Sequence, residues 1–342
     1  MLLQVTPINL GSRPWRKEME MSELAIRPLK QEDLDWITPI ENRLAGHPRR
    51  EFLEKRFSVV AADPANFISC GAMSYGNFTG YAFARIQAGE FGSHDTVAVL
   101  DVIGVDPYAQ GLGIGKELMR ELETQLKARH IGVLKTQVEW PNRKMVGFFS
   151  TAGFRLAACQ IIERDTSPLE EKQAEPVQDR HVNGDGANDL SRDRVRVRSL
   201  EEADLAEVVR IDRDLTGRDR SAFYTAKFRE MLTESGIRVS LVAEDAGVLT
   251  GFIMARVDFG EFGKVDKAAV IDAIGVHPAF TGAGIGQALL SQLLLNLSSL
   301  QVESVRTQVS PGDFDVNRFL HACGFHQAQR LVLTKSIPPP HI

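Results

Sequence analysis

Cysteine is scarce in this chain: Cys70, Cys159 and Cys323 are the three among 342 residues, an odd number with no CxxC pair and no paired histidine spacing. That count gives neither a disulfide framework nor a zinc site, and it suits a reducing compartment. Apolar runs are short as well. None approaches the length of about 18 residues that a membrane helix needs. The opening MLLQVTPINLGSRPWRKEMEM has an apolar start with no basic stretch before it, which does not read as a secretory leader. Excess positive charge is missing too: the formal net charge is −5, and Lys and Arg are interspersed with acids. Such a surface has no field to draw in nucleic acid. A cytoplasmic protein with neither a membrane nor a nucleic acid as partner is expected.

What is present is a 43% hydrophobic fraction in a chain longer than one core usually serves, so two domains are expected. From about residue 26 to residue 155 the sequence is restated without a gap at an offset of 171. Arg27 recurs as Arg198, Asp33 as Asp204, Gly80 as Gly251 and Arg85 as Arg256. A period this long is a whole domain duplicated, not a solenoid unit. The boundaries predicted are a tail over 1–22, a first domain over 23–165, a polar linker over 166–193 and a second domain over 194–336. The linker is nearly free of large apolar side chains and rich in charge, Pro, Gly and Asn, as solvated segments are.

Each copy begins with an alternating stretch, LAIRPL or VRVRSL, that predicts a strand, followed by a helix-spaced segment with acids at its start. A hairpin follows, turning near Gly76 and Asn77 in one copy and at Gly247 in the other. Next comes TVAVLDVIGV or AAVIDAIGV, β-branched and almost wholly apolar, as a central strand covered on both faces would be. A glycine-rich turn leads into an amphipathic helix marked by Leu118, Met119, Leu122 and Leu126. A strand, a short helix and a last strand close each unit.

The turns read GVDPYAQGLGIG (104–115) and GVHPAFTGAGIG (275–286). A Gly-rich turn between a buried strand and a helix offers unpaired N–H groups and the positive end of the helix dipole, which together hold phosphate oxygens. The Walker pattern fails, since Gln110 stands where its first Gly is needed and Glu117 replaces its Ser or Thr. The dinucleotide pattern GxGxxG fails at Lys116. The spacing that survives is Gln110, Gly113, Gly115.

That strand, loop and helix resembles the pyrophosphate-binding motif of the GNAT superfamily, the acyl-CoA-dependent N-acyltransferases. The resemblance extends to Asn142, Phe148, Phe149, Gly153 and Phe154, in the family's tail pattern, and it covers both halves. It implies an α/β (α+β) fold of two GNAT-like domains in tandem, each a mixed, mainly antiparallel twisted sheet flanked by helices. It also implies acetyl-CoA, or another short acyl-CoA, as cofactor and a small-molecule or peptide amine as acceptor. The cofactor residues it implies are Ile103, Gly104, Val105, Gln110, Gly111, Leu112, Gly113, Ile114, Gly115, Lys116, Asn142 and Phe148 in the first half. In the second they are Ile274, Gly275, Val276, Thr281, Gly282, Ala283, Gly284, Ile285, Gly286 and Gln287.

For the chemistry, Asp101 and Asp272 are each an acid inside an otherwise apolar strand, and alternation puts Asp101 on the face of Ile103 and Val105. A carboxylate so placed must be paired, hydrogen-bonded or cleft-facing. The family often carries a carboxylate base on this strand; the alternative is a structural pair with Arg85 or Arg256. Glu90 and Glu261, in the repeated GEFG, fall where the family's acceptor pocket forms, and read equally as solvated turn acids. The family's proton-donating Tyr is missing: Phe149 and Leu320 stand there, leaving Ser150, His321, water or unassisted thiolate departure.

The second half departs further, with Thr281 for Gln110, Asp313 for Asn142 and Pro311 for Trp140, so the first half is expected to be the better CoA site. Its Leu-rich helix, 287–300, is uncharged and carries a wider apolar stripe than one sheet face needs. Contact with the other half, or a homodimer, is expected there. The reading is an N-acetyltransferase working in a ternary complex, against a non-catalytic acyl-CoA sensor or one catalytic half beside a scaffold.

Overall fold

The structure is a computed structural model that describes residues 24–45, 64–88, 96–169, 195–233, 238–258 and 268–339, with 50, 53, 54, 57, 58 and 60 between the first two. The first half runs β1 (Leu24–Arg27), α1 (Leu34–Ala45), β2 (Phe67–Ser74), β3 (Asn77–Ala88), β4 (Thr96–Val105), α2 (Ile114–Ala128), β5 (Val133–Glu139), α3 (Arg143–Thr151), β6 (Arg155–Leu156) and β7 (Gln160–Asp165). The second repeats it as β8 (Arg196–Ser199), α4 (Leu205–Thr216), α5 (Ser221–Thr233), β9 (Leu241–Asp245), β10 (Val248–Asp258), β11 (Ala268–Val276), α6 (Ile285–Ser299), β12 (Ser304–Val309), α7 (Phe314–Ala322), β13 (His326–Gln327) and β14 (Arg330–Ser336).

The central strand is sandwiched as its composition requires. Val97, Ala98, Val99 and Leu100 are all buried. On one face Leu118, Leu122 and Leu126 of α2 meet Cys70, Ala82, Ala84 and Leu100. On the other, Ile37 and Ile40 of α1 meet Tyr81 and Phe83. The burial of α2 follows the three- and four-residue spacing of its apolar positions. The repeated Arg27/Asp33 pair turns out to be an anchor at the turn from β1 into α1. Arg27 donates to both Asp33 oxygens at 2.7 and 2.6 Å, and the Lys30 amide adds a third bond at 2.7 Å. Arg198, Asp204 and the Glu201 amide repeat this arrangement.

Each unit does not close on its own last strand. The two seven-stranded sheets run β1-β2-β3-β4-β5-β14-β6 and β13-β7-β12-β11-β10-β9-β8. Thus β14, from the end of the second half, pairs antiparallel with β5 from Arg330↔Glu139 to Ser336↔Val133. Reciprocally, β7 pairs with β12 from Ser304↔Asp165 to Val309↔Gln160. The chains cross where small side chains permit close approach: the Ala157 amide bonds Val332 O and the Ala328 amide bonds Ile161 O, both at 2.9 Å. Leu333 and Ile337 are buried in the first core, and Ile162 in the second. Full burial of such a side chain contributes about 1.5–3 kcal/mol. Each half therefore depends on the other for a strand and part of its core.

The Leu-rich helix is buried within the same core. Leu289, Leu290, Leu293, Leu294 and Leu297 are fully buried, in a cluster that includes Ile162 of β7, with Leu169 packed beside it. The broad stripe is thus covered within the chain, chiefly by β9, β10 and β11 of its own half, with Ile162 of β7 in the same cluster.

Two outcomes follow. A chain ended after Gln329 loses β14, and hydrogen exchange at Val133–Glu139 should accelerate although the deletion lies in the other half; retained protection at β5 would contradict the exchange. Asp204's carboxyl lies below its ordinary value of 3.8, chiefly because Arg198 bonds its charged form, with burial opposing. A depressed carboxyl contributes stability above its unfolded pKa, about 4, which is lost as pH falls through the folded value. The melting-temperature gap between the wild type and Asp204→Asn should narrow from pH 6 to pH 3, and a constant gap would contradict this.

Candidate functional site

The site begins where two parallel strands part. β4 and β5 are registered only at Ala98↔Leu134 and Val99↔Lys135. One side chain extends the tie: Thr136 Oγ1 donates to Leu100 O at 3.0 Å. The second half repeats this, with β11 and β12 paired from Ala268 to Val270 and Thr307 Oγ1 bonded to Ile271 O at 3.0 Å. Beyond, the strands diverge. The Asp106 amide bonds Thr79 O at 2.9 Å, which makes Thr79 and Asp106 a hydrogen-bonded pair. Alternation along an antiparallel ladder then directs Gly104 toward Tyr81, and turns the main-chain groups of Ile103 and Val105 to the side that β5 has left. By the same reasoning Ile274 and Val276 face the second gap, since the His277 amide bonds Thr250 O.

At the end of β4 the chain bends through Gly111 and Gly113, both left-handed with φ of 84° and 82°. Gly113 is the N-cap of α2 and supplies no capping side chain. Among the described residues, the amides of Gly111 through Gly115 donate to no other group. They converge at the positive end of a 15-residue helix, where anionic oxygens are favoured. Ile114 is 3% exposed, so its side chain fixes the helix start in the core and only its amide is offered. Gln110 closes one wall: its Nε2 donates to Val105 O at 3.1 Å, while its Oε1 accepts from Lys144 of α3. The second bend, with Gly282 and Gly284 at φ of 85° and 77°, has one amide fewer, because Ala283 N bonds Phe280 O at 3.3 Å. Thr281 there is exposed.

The tail motif packs behind the loop. A Cβ on Gly115 would lie 3.0 Å from Phe148, so this glycine serves helix contact more than ligand approach; Gly286 stands likewise against Phe319. Asn142 caps α3 by accepting from the Met145 amide at 3.2 Å, whereas the Asp313 side chain caps nothing. Phe149 is 2% and Leu320 1% exposed, so both positions of the family's Tyr are core. Ser150 is exposed, and His321 Nδ1 is bonded to Phe325 O at 2.9 Å.

The strand acids sit at irregularities that sequence alternation does not register. The β3/β4 pairing jumps from Phe83↔Val102 to Ala84↔Leu100, leaving Asp101 as the extra residue of a bulge. Ile103 and Val105 pack with Leu100 toward α2. Asp101 instead turns to the opposite face, 2% exposed, with Arg85 Nε 2.9 Å from Oδ2. The face expected from alternation is therefore corrected by the bulge. Asp272 occupies the matching bulge, bonded to Arg256 and 3.6 Å from Lys227. On these faces the two halves enclose a cleft of about 680 Å³, open solvent included, lined by Arg85, Lys135 and Gln137 with Arg256, Asp272 and Arg306. Glu90 and Glu261 lie outside the described residues. Among the described residues there is no cluster of metal-binding side chains, and no helix is long and apolar enough to cross a membrane.

Sequence reasoning did not find two further residues of this site. Thr136 is read simply as part of a strand, and Tyr81 as one aromatic in a hairpin. The signal for Tyr81 is its register opposite Gly104: a Cβ there would lie 2.7 Å from its ring.

Comparison with known proteins agrees with this geometry. The Acetyltransferase (GNAT) family matches residues 30–154 and 205–325. A mycothiol acetyltransferase of Thermobispora bispora is 26% identical over 134 residues, 38% of this chain and 45% of that protein. The match thus spans under half the length of that curated relative. Among solved structures, a GCN5-related N-acetyltransferase from Sphaerobacter thermophilus superposes with a TM-score of 0.59 at 14% identity, covering 93% of this chain and 98% of the other. A tandem GNAT protein from the clavulanic acid biosynthesis pathway gives 0.60 at 16% identity, over 93% of this chain and 100% of that one. With its parted strands, glycine bends and family match each present twice, the chain belongs to the GNAT acetyltransferase family as a tandem of two such domains.

Proposed function

We propose that the first half transfers an acetyl or other short acyl group from CoA to an amine by direct attack in a ternary complex. The observation that carries this is two sets of open main-chain amides, Ile103 and Val105 on the parted edge of β4 and Gly111 to Gly115 at the bend. A diphosphate fits the bend, and an amide-bearing pantetheine arm fits the free edge of β4 as a substitute for the strand that has left. Acyl-CoA would supply an activated carbonyl and a thiolate leaving group. Ile103 and Val105 N–H groups, fixed in a sheet, would polarise that carbonyl without reorganising. Gln110 and Lys144 would border the diphosphate, Lys116 would add charge at the helix start, and Phe148 would hold the loop from behind. Family membership and the mycothiol acetyltransferase relatives support acyl transfer in general.

Asp101 and Asp272 were candidates for the base. Each is held by an arginine, Asp101 by Arg85 and Asp272 by Arg256. We assign both the role of positioning the bulge and the cleft wall, with the acceptor attacking as its free amine. The second half, with Thr281, Asp313 and one amide fewer, serves as scaffold; Gly282, Gly284, Ile285, Gly286 and Gln287 keep the shape of a cofactor bend without its full donor set.

Calorimetric titration with CoA, beside thiol release from acetyl-CoA with a panel of amines, tests this. Binding with turnover is expected; binding without turnover would favour a sensing role, and no binding would end the reading. Gly113→Val forces a β-branched residue into a left-handed bend, at about 1–3 kcal/mol, and fills the anion pocket. CoA affinity should fall about 100-fold or more, while Gly284→Val leaves it unchanged. A stoichiometry of two per chain would contradict the assignment to the first half.

A further inference from the structure

We infer that Tyr81 is the proton donor of the first half, its hydroxyl meeting the sulfur of bound acyl-CoA. This rests on the cofactor reading above. Tyr81 is wholly buried, and among the described residues its hydroxyl has no hydrogen-bond partner. Buried polar atoms are nearly always satisfied, and an orphaned hydroxyl costs stability unless a visitor completes it.

The place of this hydroxyl names the visitor. Tyr81 stands on β3 directly opposite Gly104 of β4. Its Cε1, Cζ and Oη each lie 2.7 Å from where a Gly104 Cβ would be, so the ring leans across β4 in space that only glycine leaves open. Its polar end is thus carried over β4 toward the gap from which β5 has parted, level with Ile103 and Val105. Those two amides face the gap and suit a carbonyl oxygen. The hydroxyl is left for the other polar atom of a thioester, its sulfur.

The second half shows what the site looks like without this function. Phe252 replaces Tyr81, opposite Gly275, with a Cβ there again 2.7 Å from its ring. The buried phenol on that side is Tyr224, which donates to Asp212 at 2.8 Å and packs edge-on against Phe252 at 5.8 Å. Burial raises the Tyr224 phenol well above its ordinary range, so it stays a neutral structural donor. Leu53 holds its position in the first half. The first half therefore keeps a hydroxyl at the strand gap and leaves it unsatisfied, while the second satisfies its own elsewhere. With Phe149 in the core, Tyr81 supplies the acid that the family motif lacks.

The step balances. The amine nitrogen forms a bond to the acyl carbon, and the carbon–sulfur bond breaks with its electron pair on sulfur. The Tyr81 hydroxyl proton passes to that sulfur. The proton shed by nitrogen returns through water to the tyrosinate, so the products are amide and thiol.

Tyr81→Phe is the test, since Phe already occupies the counterpart position and the fold should hold, with a melting temperature at or above wild type. Crystals of the wild-type chain soaked in CoA should show sulfur within about 3.5 Å of Tyr81 Oη. The variant should bind CoA within about tenfold of the wild-type affinity by calorimetry and turn over amines about 100-fold more slowly, the usual worth of a general acid. Sulfur placed away from Oη, or wild-type turnover in the variant, would overturn this inference and leave the cofactor reading standing. If no amine is acylated, the distance alone decides. Absent calorimetric heat and absent density in the wild type would overturn both.

Discussion

The parting of β4 from β5 is the constraint on which the rest of the structure depends. Two parallel registers and the Thr136 hydroxyl hold the vertex; after Leu100 the edge of β4 runs on with no strand beside it among the described residues. An unpaired edge inside a folded domain is costly unless something else meets its amides. The geometry therefore presupposes an extended partner with hydrogen-bonding groups of its own. The glycine bend continues the same logic, presenting amides where strand ends and helix begins. Two sets of main-chain donors result, one on the strand edge and one at the bend, and side chains mainly shape their borders.

The exchange of last strands keeps that opening rigid. If β5 were an edge strand, nothing on its far side would resist its drifting back toward β4. β14 binds it along its whole length, with Leu333 and Ile337 locked into the first core. The second half thus contributes a strand to the first sheet. A duplicated chain gains from this arrangement, because one copy can diverge, as Thr281 does from Gln110 and Phe252 from Tyr81, and still supply the other with a strand.

Much of this was legible in the sequence. The offset of 171 revealed the duplication, the apolar run marked β4 as a central strand, and the glycines at 111, 113, 282 and 284 marked bends that take left-handed backbone. What was illegible has physical reasons. QIIERD reads as a strand in whichever sheet it lies, since alternation reports a buried face and never names the neighbour. Alternation puts Asp101 on the wrong face because one extra residue in a bulge reverses every parity argument beyond it. Phe149 is legible as the loss of a donor, but the hydroxyl of Tyr81 becomes conspicuous only from its surroundings, where no described residue bonds it.

The central claim is that main-chain amides from the free edge of β4 and the bend after it grip the cofactor. Backbone amide hydrogen exchange, resolved by residue and recorded with and without CoA, tests this most directly. Ile103, Val105 and Gly111 to Gly115 should gain protection together while their counterparts at Ile274, Val276 and Gly282 to Gly286 change little. Saturation with CoA that left the first set exchanging as before would contradict the account.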